Sequence, residues 1–165
     1  MATIQKISPN LWFDNQAEEA ANFYVSIFKN SKIEKINRYS KAGFEIHNRP
    51  AGSVMTVRFS LNGQNFIALN GGPIFKFNES ISFVITCETQ DEIDYYWTKL
   101  SEEGDKNAQQ CGWLKDKYGL SWQVVPSIME DMFSDSESDK SQRTMEAMLK
   151  MKKLDIESLK KAANG

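Results

Sequence analysis

The chain has 165 residues, 41% of them hydrophobic and 12% aromatic, with a formal net charge of −2 at pH 7. That length fits one domain able to bury about 70% of its unfolded surface, and so small a charge exerts no long-range pull on nucleic acid or membrane. Two cysteines, Cys87 and Cys111, are too few for a disulfide framework, no signal-like apolar run opens the chain, and no stretch approaches the ~18 apolar residues that span a bilayer. The expectation is a cytoplasmic protein whose partners include neither nucleic acid nor a membrane.

Ile7 to Phe13 is short, apolar and aromatic and predicts a strand; Asp14 and Asn15 behind it can cap a helix. Over Gln16 to Phe28, Ala17, Ala20, Ala21, Tyr24 and Phe28 recur at helical spacing and predict one buried face. Lys32 to Tyr39 alternates imperfectly, as an edge strand does, and Lys41 to Gly52, which carries the only histidine, His47, reads as a loop. Val54 to Leu61 alternates cleanly and passes through Asn62-Gly63 into Phe66 to Leu69, a hairpin signature, before Gly71-Gly72-Pro73 interrupts the pattern.

The same order then recurs: strand Ile81 to Cys87, helix Gln90 to Leu100, strand Trp113 to Lys117, a turn at Tyr118-Gly119, and strand Leu120 to Val125. Gln16 and Glu18 reappear as Gln90 and Glu92, which points to an architectural repeat. Beyond Pro126 the chain changes character. Gln142 to Lys153 predicts a helix with Met145, Met148 and Leu149 inward, and Asp155 caps a further helix with Leu154 stapled to Leu159. The organisation expected is a single domain over 1–165, with one module to about residue 72, a second to about 127, and a C-terminal helical extension.

The segments Asn10-Leu-Trp-Phe-Asp14, Glu18 to Tyr24, Ala68-Leu-Asn-Gly-Gly-Pro73, Cys111-Gly-Trp-Leu114, Tyr118 to Pro126 and Met151 to Ile156, in this order, resemble the PhnB-like branch of the vicinal oxygen chelate (glyoxalase/bleomycin-resistance) superfamily. The resemblance implies an α+β fold of two paired βαβββ modules around a shared pocket, in a homodimer. It implies function less narrowly, because the superfamily holds metal-dependent isomerases and lyases, dioxygenases, and antibiotic-binding proteins without catalysis. Sequences of this kind also carry the label 3-demethylubiquinone 3-methyltransferase; here Gly71-Gly72-Pro73 leads into Ile74 to Phe77 and not into a helix, unlike a glycine-rich S-adenosylmethionine turn.

Metal-dependent members place His and Glu ligands on the first and last strands of each module. The matching positions are Ser8, Pro9 or Asn10, then Ala68, Ser82 and Gln123, of which Gln123 alone is a plausible ligand. His47 is a solvated loop residue in this reading, and no metal or other cofactor is expected. Cys111 is the candidate nucleophile, set against its reading as a small pocket-lining thiol. If Gln123 faces the pocket then Ser121 does too, while Trp122 faces the helices as core. The predicted pocket is lined by Trp12, Phe66, Asn70, Ser82, Cys111, Trp113 and Gln123, and suits a small aromatic or amphipathic molecule. The alternatives are a glyoxalase- or dioxygenase-type enzyme with a degenerate metal site, and an interaction module acting through its C-terminal helices.

Overall fold

In the computed structural model, which describes residues 5–165, the chain divides into two units, one ending at Lys76 and the other running Phe77–Gly165. The first is built on strands β1 (Asn10–Phe13), β2 (Lys32–Arg38), β3 (Val54–Leu61) and β4 (Gln64–Asn70), in the sheet order β1-β4-β3-β2, with β1 parallel to β4 and the other pairs antiparallel. Asn62 and Gly63 take φ of 46° and 83°, the left-handed pair that a two-residue hairpin needs to match the twist of its strands.

Helix α1 (Ala17–Ile27) buries Ala17, Ala20, Ala21 and Tyr24, as helical spacing predicts, but Ile27 is buried in place of Phe28, which follows the helix as its C-cap and is only partly buried. Its alanines let the helix sit close to the sheet, where the Tyr24 ring stacks on Phe59 at 6.3 Å and Phe59 on Phe66 at 5.4 Å. Each such ring removed from water contributes about 1.5–3 kcal/mol. Neither Asp14 nor Asn15 caps this helix: Gln16 is the capping position, but its side-chain oxygen accepts from Asn15 N at 3.2 Å and not from the helix start, while Asn70, from the end of β4, accepts a hydrogen bond from Ala17 N at 2.8 Å. Within the loop expected over Lys41 to Gly52 lies a one-turn helix, α2 (Phe44–His47).

The second unit repeats the connection with one strand fewer. Strands β5 (Ser82–Cys87), β6 (Trp113–Lys115) and β7 (Ser121–Pro126) form a sheet in the order β5-β7-β6, with β5 parallel to β7 and β6 antiparallel to it, and helix α3 (Gln90–Ser101) follows β5. Where the first unit has β2, the second runs through a single 3-10 turn, Lys106–Ala108. Ser101 to Gln110 has no apolar alternation to offer a sheet, and Gly104 passes so near the Lys115 carbonyl that a Cβ there would lie 2.1 Å from its oxygen. The fold class expected from sequence is therefore the one observed, with the second βαβββ repeat shortened to βαββ.

Helices α4 (Met129–Met132), α5 (Asp139–Met148) and α6 (Ile156–Asn164) belong to the second unit. Leu154 and Leu159 are fully buried together with Met132 and Ala163, and Asp155 accepts from Ser158 N at 2.7 Å, as the staple and cap predict. The inward face of α5 differs from expectation. Ser141 and Thr144 are buried, whereas Met145 and Leu149 stay 40% and 56% exposed. The helix starts at Ser138, which caps Ser141 N, and its small face admits α6, whose last carbonyls at Ala162 and Ala163 accept from Arg143. Among the described residues no helix is long and apolar enough to cross a membrane.

Candidate functional site

Each sheet has one face covered by its helix and one turned away from it. On the second sheet, cross-strand register groups Ser82, Ser121 and Lys115 in one row and Val84, Gln123 and Trp113 in the next, all on the side opposite the buried Leu114, Trp122 and Val124. Gln123 Nε2 donates to Ser82 Oγ at 2.9 Å. Val84 remains 57% exposed beside them. Lys115 forms an ion pair with Glu79, just ahead of β5, and the hydrogen bond from its ammonium holds the Glu79 carboxyl below the ordinary carboxylate range. Ser121 is 1% exposed, and its hydroxyl is the buried side-chain group without a hydrogen-bond partner among the described residues.

Trp122 occupies the core, as alternation predicts. Its indole N–H donates to Asp116 Oδ2 at 2.9 Å, while Asp116 Oδ1 accepts from Tyr118 N and Leu120 N and so shapes the turn between β6 and β7. This buried carboxylate is fully engaged in holding the sheet together.

In the first unit Trp12 lies on the uncovered face, opposite Leu69. Its indole N–H donates to Gly72 O at 2.8 Å, and Phe75 meets the ring edge-on at 4.9 Å. Gly71 sits under this ring, where a Cβ would approach within 2.2 Å. The glycines thus serve a tryptophan, and no helix follows them, so they do not fit the carboxypropyl-binding turn of S-adenosylmethionine.

Two residues expected beside Trp12 point the other way. Phe66 is 6% exposed and stacks on Phe59 beneath α1, and Asn70 is 6% exposed and spans Ala17 N and Val54 O. The register explains this: Trp12 pairs with Leu69, so the residues on either side of that row, Ala68 and Asn70, face the helix, and Phe66 shares their phase.

Cys111 is also placed otherwise than as a pocket residue of the sheet. It takes φ of 52° beside Gly112 at 85° in a tight turn closed by Gln110 and Trp113, and its N–H donates to Met151 O at 2.9 Å. Its Sγ lies 3.5 Å from Met148 O. The thiol is turned to the C-terminal segment, where no described side chain forms a base for it.

A metal does not fit the family's ligand positions in this chain. Ala68 is fully buried under α1, Ser82 and Gln123 bond to each other, and Ser8 supplies a neutral hydroxyl. His47 has both ring nitrogens engaged: Nδ1 accepts from Arg49 N at 3.0 Å, so Nε2 carries the proton directed at Ala42 O, 3.2 Å away. The histidine packs on Tyr39 at 4.5 Å and braces its own loop. Among the described residues no group of three His, Cys, Asp or Glu side chains could hold a metal ion.

Sequence reading passed over Arg49 and Lys115. Arg49 closes its loop onto Asp14, donating to the backbone oxygen at 2.7 Å and to Oδ1 at 3.0 Å, and lines a cavity of about 210 Å³ with Asn15, Glu18 and Asn70. Its spacing from Asp14 leaves no local signal. Lys115 is readable only once β6 is placed in phase.

Residues 5–125 match a family model described as 3-demethylubiquinone-9 3-methyltransferase. A solved structure of a PhnB protein from Bacillus cereus is 38% identical, covering 74% of this chain and all of that one, with a TM-score of 0.64. Protein PA1353 from Pseudomonas aeruginosa (19% identity, 75% and 98% coverage, TM-score 0.56) and the fosfomycin resistance protein FosX from Listeria monocytogenes (12%, 80% and 98%, 0.52) share the fold. No curated protein matches.

Proposed function

We propose, given that the chain belongs to the PhnB-like family of the vicinal oxygen chelate superfamily, whose family model is described as 3-demethylubiquinone-9 3-methyltransferase, that it binds a small aromatic or amphipathic molecule without a metal ion. The observation that carries this reading is the uncovered face of the second sheet. Trp113 offers a flat ring, the exposed Val84 an apolar floor, and the Ser82–Gln123 pair neutral hydrogen-bonding groups, a combination suited to holding a planar ligand by area and orienting it by polar contacts. The Gln123 amide keeps its carbonyl oxygen available for a ligand donor while its N–H₂ stays on Ser82. A homodimer forms part of the proposal: Ile74 and Phe75 are 73% and 61% exposed, and a second copy would cover them.

The test is a titration of 2-naphthylmethanol into protein dialysed against EDTA, followed by tryptophan fluorescence. Saturable quenching that W113F weakens supports the reading. Quenching that appears only after Mn, Fe, Ni or Zn is restored overturns its metal-free part, and absence of saturable quenching overturns binding itself. Sedimentation velocity tests the dimer, which a species of 18.9 kDa would contradict.

A further inference from the structure

Lys115 stands on β6, Glu79 just ahead of β5, and β7 lies between those strands. Adjacent strands are ~4.8 Å apart, so the Lys115 stem has to cross above its register partner Ser121 to reach the Glu79 carboxylate. This crossing accounts for an otherwise odd fact: a serine on the uncovered face of a sheet is 1% exposed, with its hydroxyl left unpartnered. An unsatisfied buried hydroxyl is costly, and one in a native fold calls for a specific partner or role.

We propose that Lys115 is the anion-recognising residue of the ligand site, that Glu79 occupies it in the free protein as an internal stand-in, and that the ligand is an aromatic carboxylate that displaces Glu79 and takes up the Ser121 hydroxyl. The inference rests on the binding reading above and narrows its ligand class. The charges fit: Lys115 is the cation of the row Ser82, Ser121, Lys115, and the group it already holds is a carboxylate whose own side chain is 61% exposed. Trp113 lies two residues along the same strand on the same face, placing a flat surface beside the ammonium. An acid carrying an aromatic ring would thus set its carboxylate on Lys115 and Ser121 and its ring toward Trp113 and Val84. The reaction is an exchange of partners with no covalent step.

The experiment compares 2-naphthoate with its neutral counterpart 2-naphthylmethanol on the full chain, using fluorescence quenching and calorimetry. The expected result is naphthoate binding tighter by roughly tenfold, the worth of one charge-assisted hydrogen bond. E79Q, which removes the competing carboxylate, widens the preference for naphthoate over naphthylmethanol several-fold, and K115M abolishes it; circular dichroism of both variants checks that they fold. Equal affinity for the two probes, or naphthoate binding that K115M leaves intact, overturns the proposal while the binding reading stands. A chain that binds neither probe overturns both.

Discussion

Asn70 joins two elements that lie far apart in the chain: its Oδ1 accepts from Ala17 N at 2.8 Å and its Nδ2 donates to Val54 O at 3.1 Å, so the end of β4 supplies the cap of α1. Asn70→Ala leaves a buried helix-start N–H without a partner, and the expected loss of stability is about 1–3 kcal/mol by urea denaturation. Asn70→Asp keeps the acceptor for Ala17 and loses the donor to Val54, so it falls between wild type and the alanine variant. Wild-type stability in the alanine variant would show that the cap is dispensable.

The close approach of Gly71 to Trp12 gives a second test. A methyl group at residue 71 would lie 2.2 Å from the indole, so the ring must move and its bond to Gly72 O must lengthen or break. Gly71→Ala should destabilise the chain by about 1–3 kcal/mol and shift tryptophan emission. An unchanged emission spectrum would mean that the ring does not rest on this backbone.

The clasp between α3 and the C-terminal segment predicts a pH dependence. Hydrogen bonds from Lys153 and then Gln90 hold the Asp94 carboxyl below its ordinary value of 3.8. An acid lowered in the folded state contributes stability above that ordinary value and loses it as pH falls through the lower folded one. Asp94→Asn should therefore be less stable than wild type at pH 6, by a few tenths of a kcal/mol because both partners are open to solvent screening, and the gap should close in the acid range below 3.8. A gap that does not change with pH would contradict the assignment.

The two cysteines should differ in reactivity. Burial, and after it Glu92, pushes the Cys87 thiol up to about 12, so few thiolates form at pH 8. Alkylation by iodoacetamide should reach Cys111 first and Cys87 at least about tenfold more slowly, until denaturant exposes it. Two equally fast phases in peptide mapping would refute this.

What the sequence disclosed follows the range of the interactions involved. The hairpin at Asn62-Gly63, the alanine face of α1 and the Leu154–Leu159 staple depend on residues a few positions apart, and all were legible. The orientation of Phe66 was not, because β4 carries apolar residues on both faces, Phe66 and Ala68 on one and Ile67 and Leu69 on the other, so alternation sets no phase. Asn70 reads as a pocket amide until Ala17 is seen beside it. The inward face of α5 departs from its helical pattern because its small residues Ser141 and Thr144, not Met145, are the buried ones. Of the site, Trp12, Ser82, Trp113 and Gln123 lie on uncovered sheet faces, while Lys115 and Glu79 pair across β7, a relationship that only the strand order reveals.

Under the proposed function, the uncovered face of the second sheet takes up a small molecule without a metal ion. The most direct measurement is NMR of uniformly ¹⁵N-labelled protein in EDTA, titrated with 2-naphthoate and followed at the Trp113 indole N–H, the Gln123 side-chain amide and the backbone amides of Ser82 and Ser121. Saturable shifts concentrated at these groups, with the Trp122 indole on the covered face nearly unmoved, are the predicted result. Shifts scattered over the surface, absent, or dependent on an added divalent ion would contradict it.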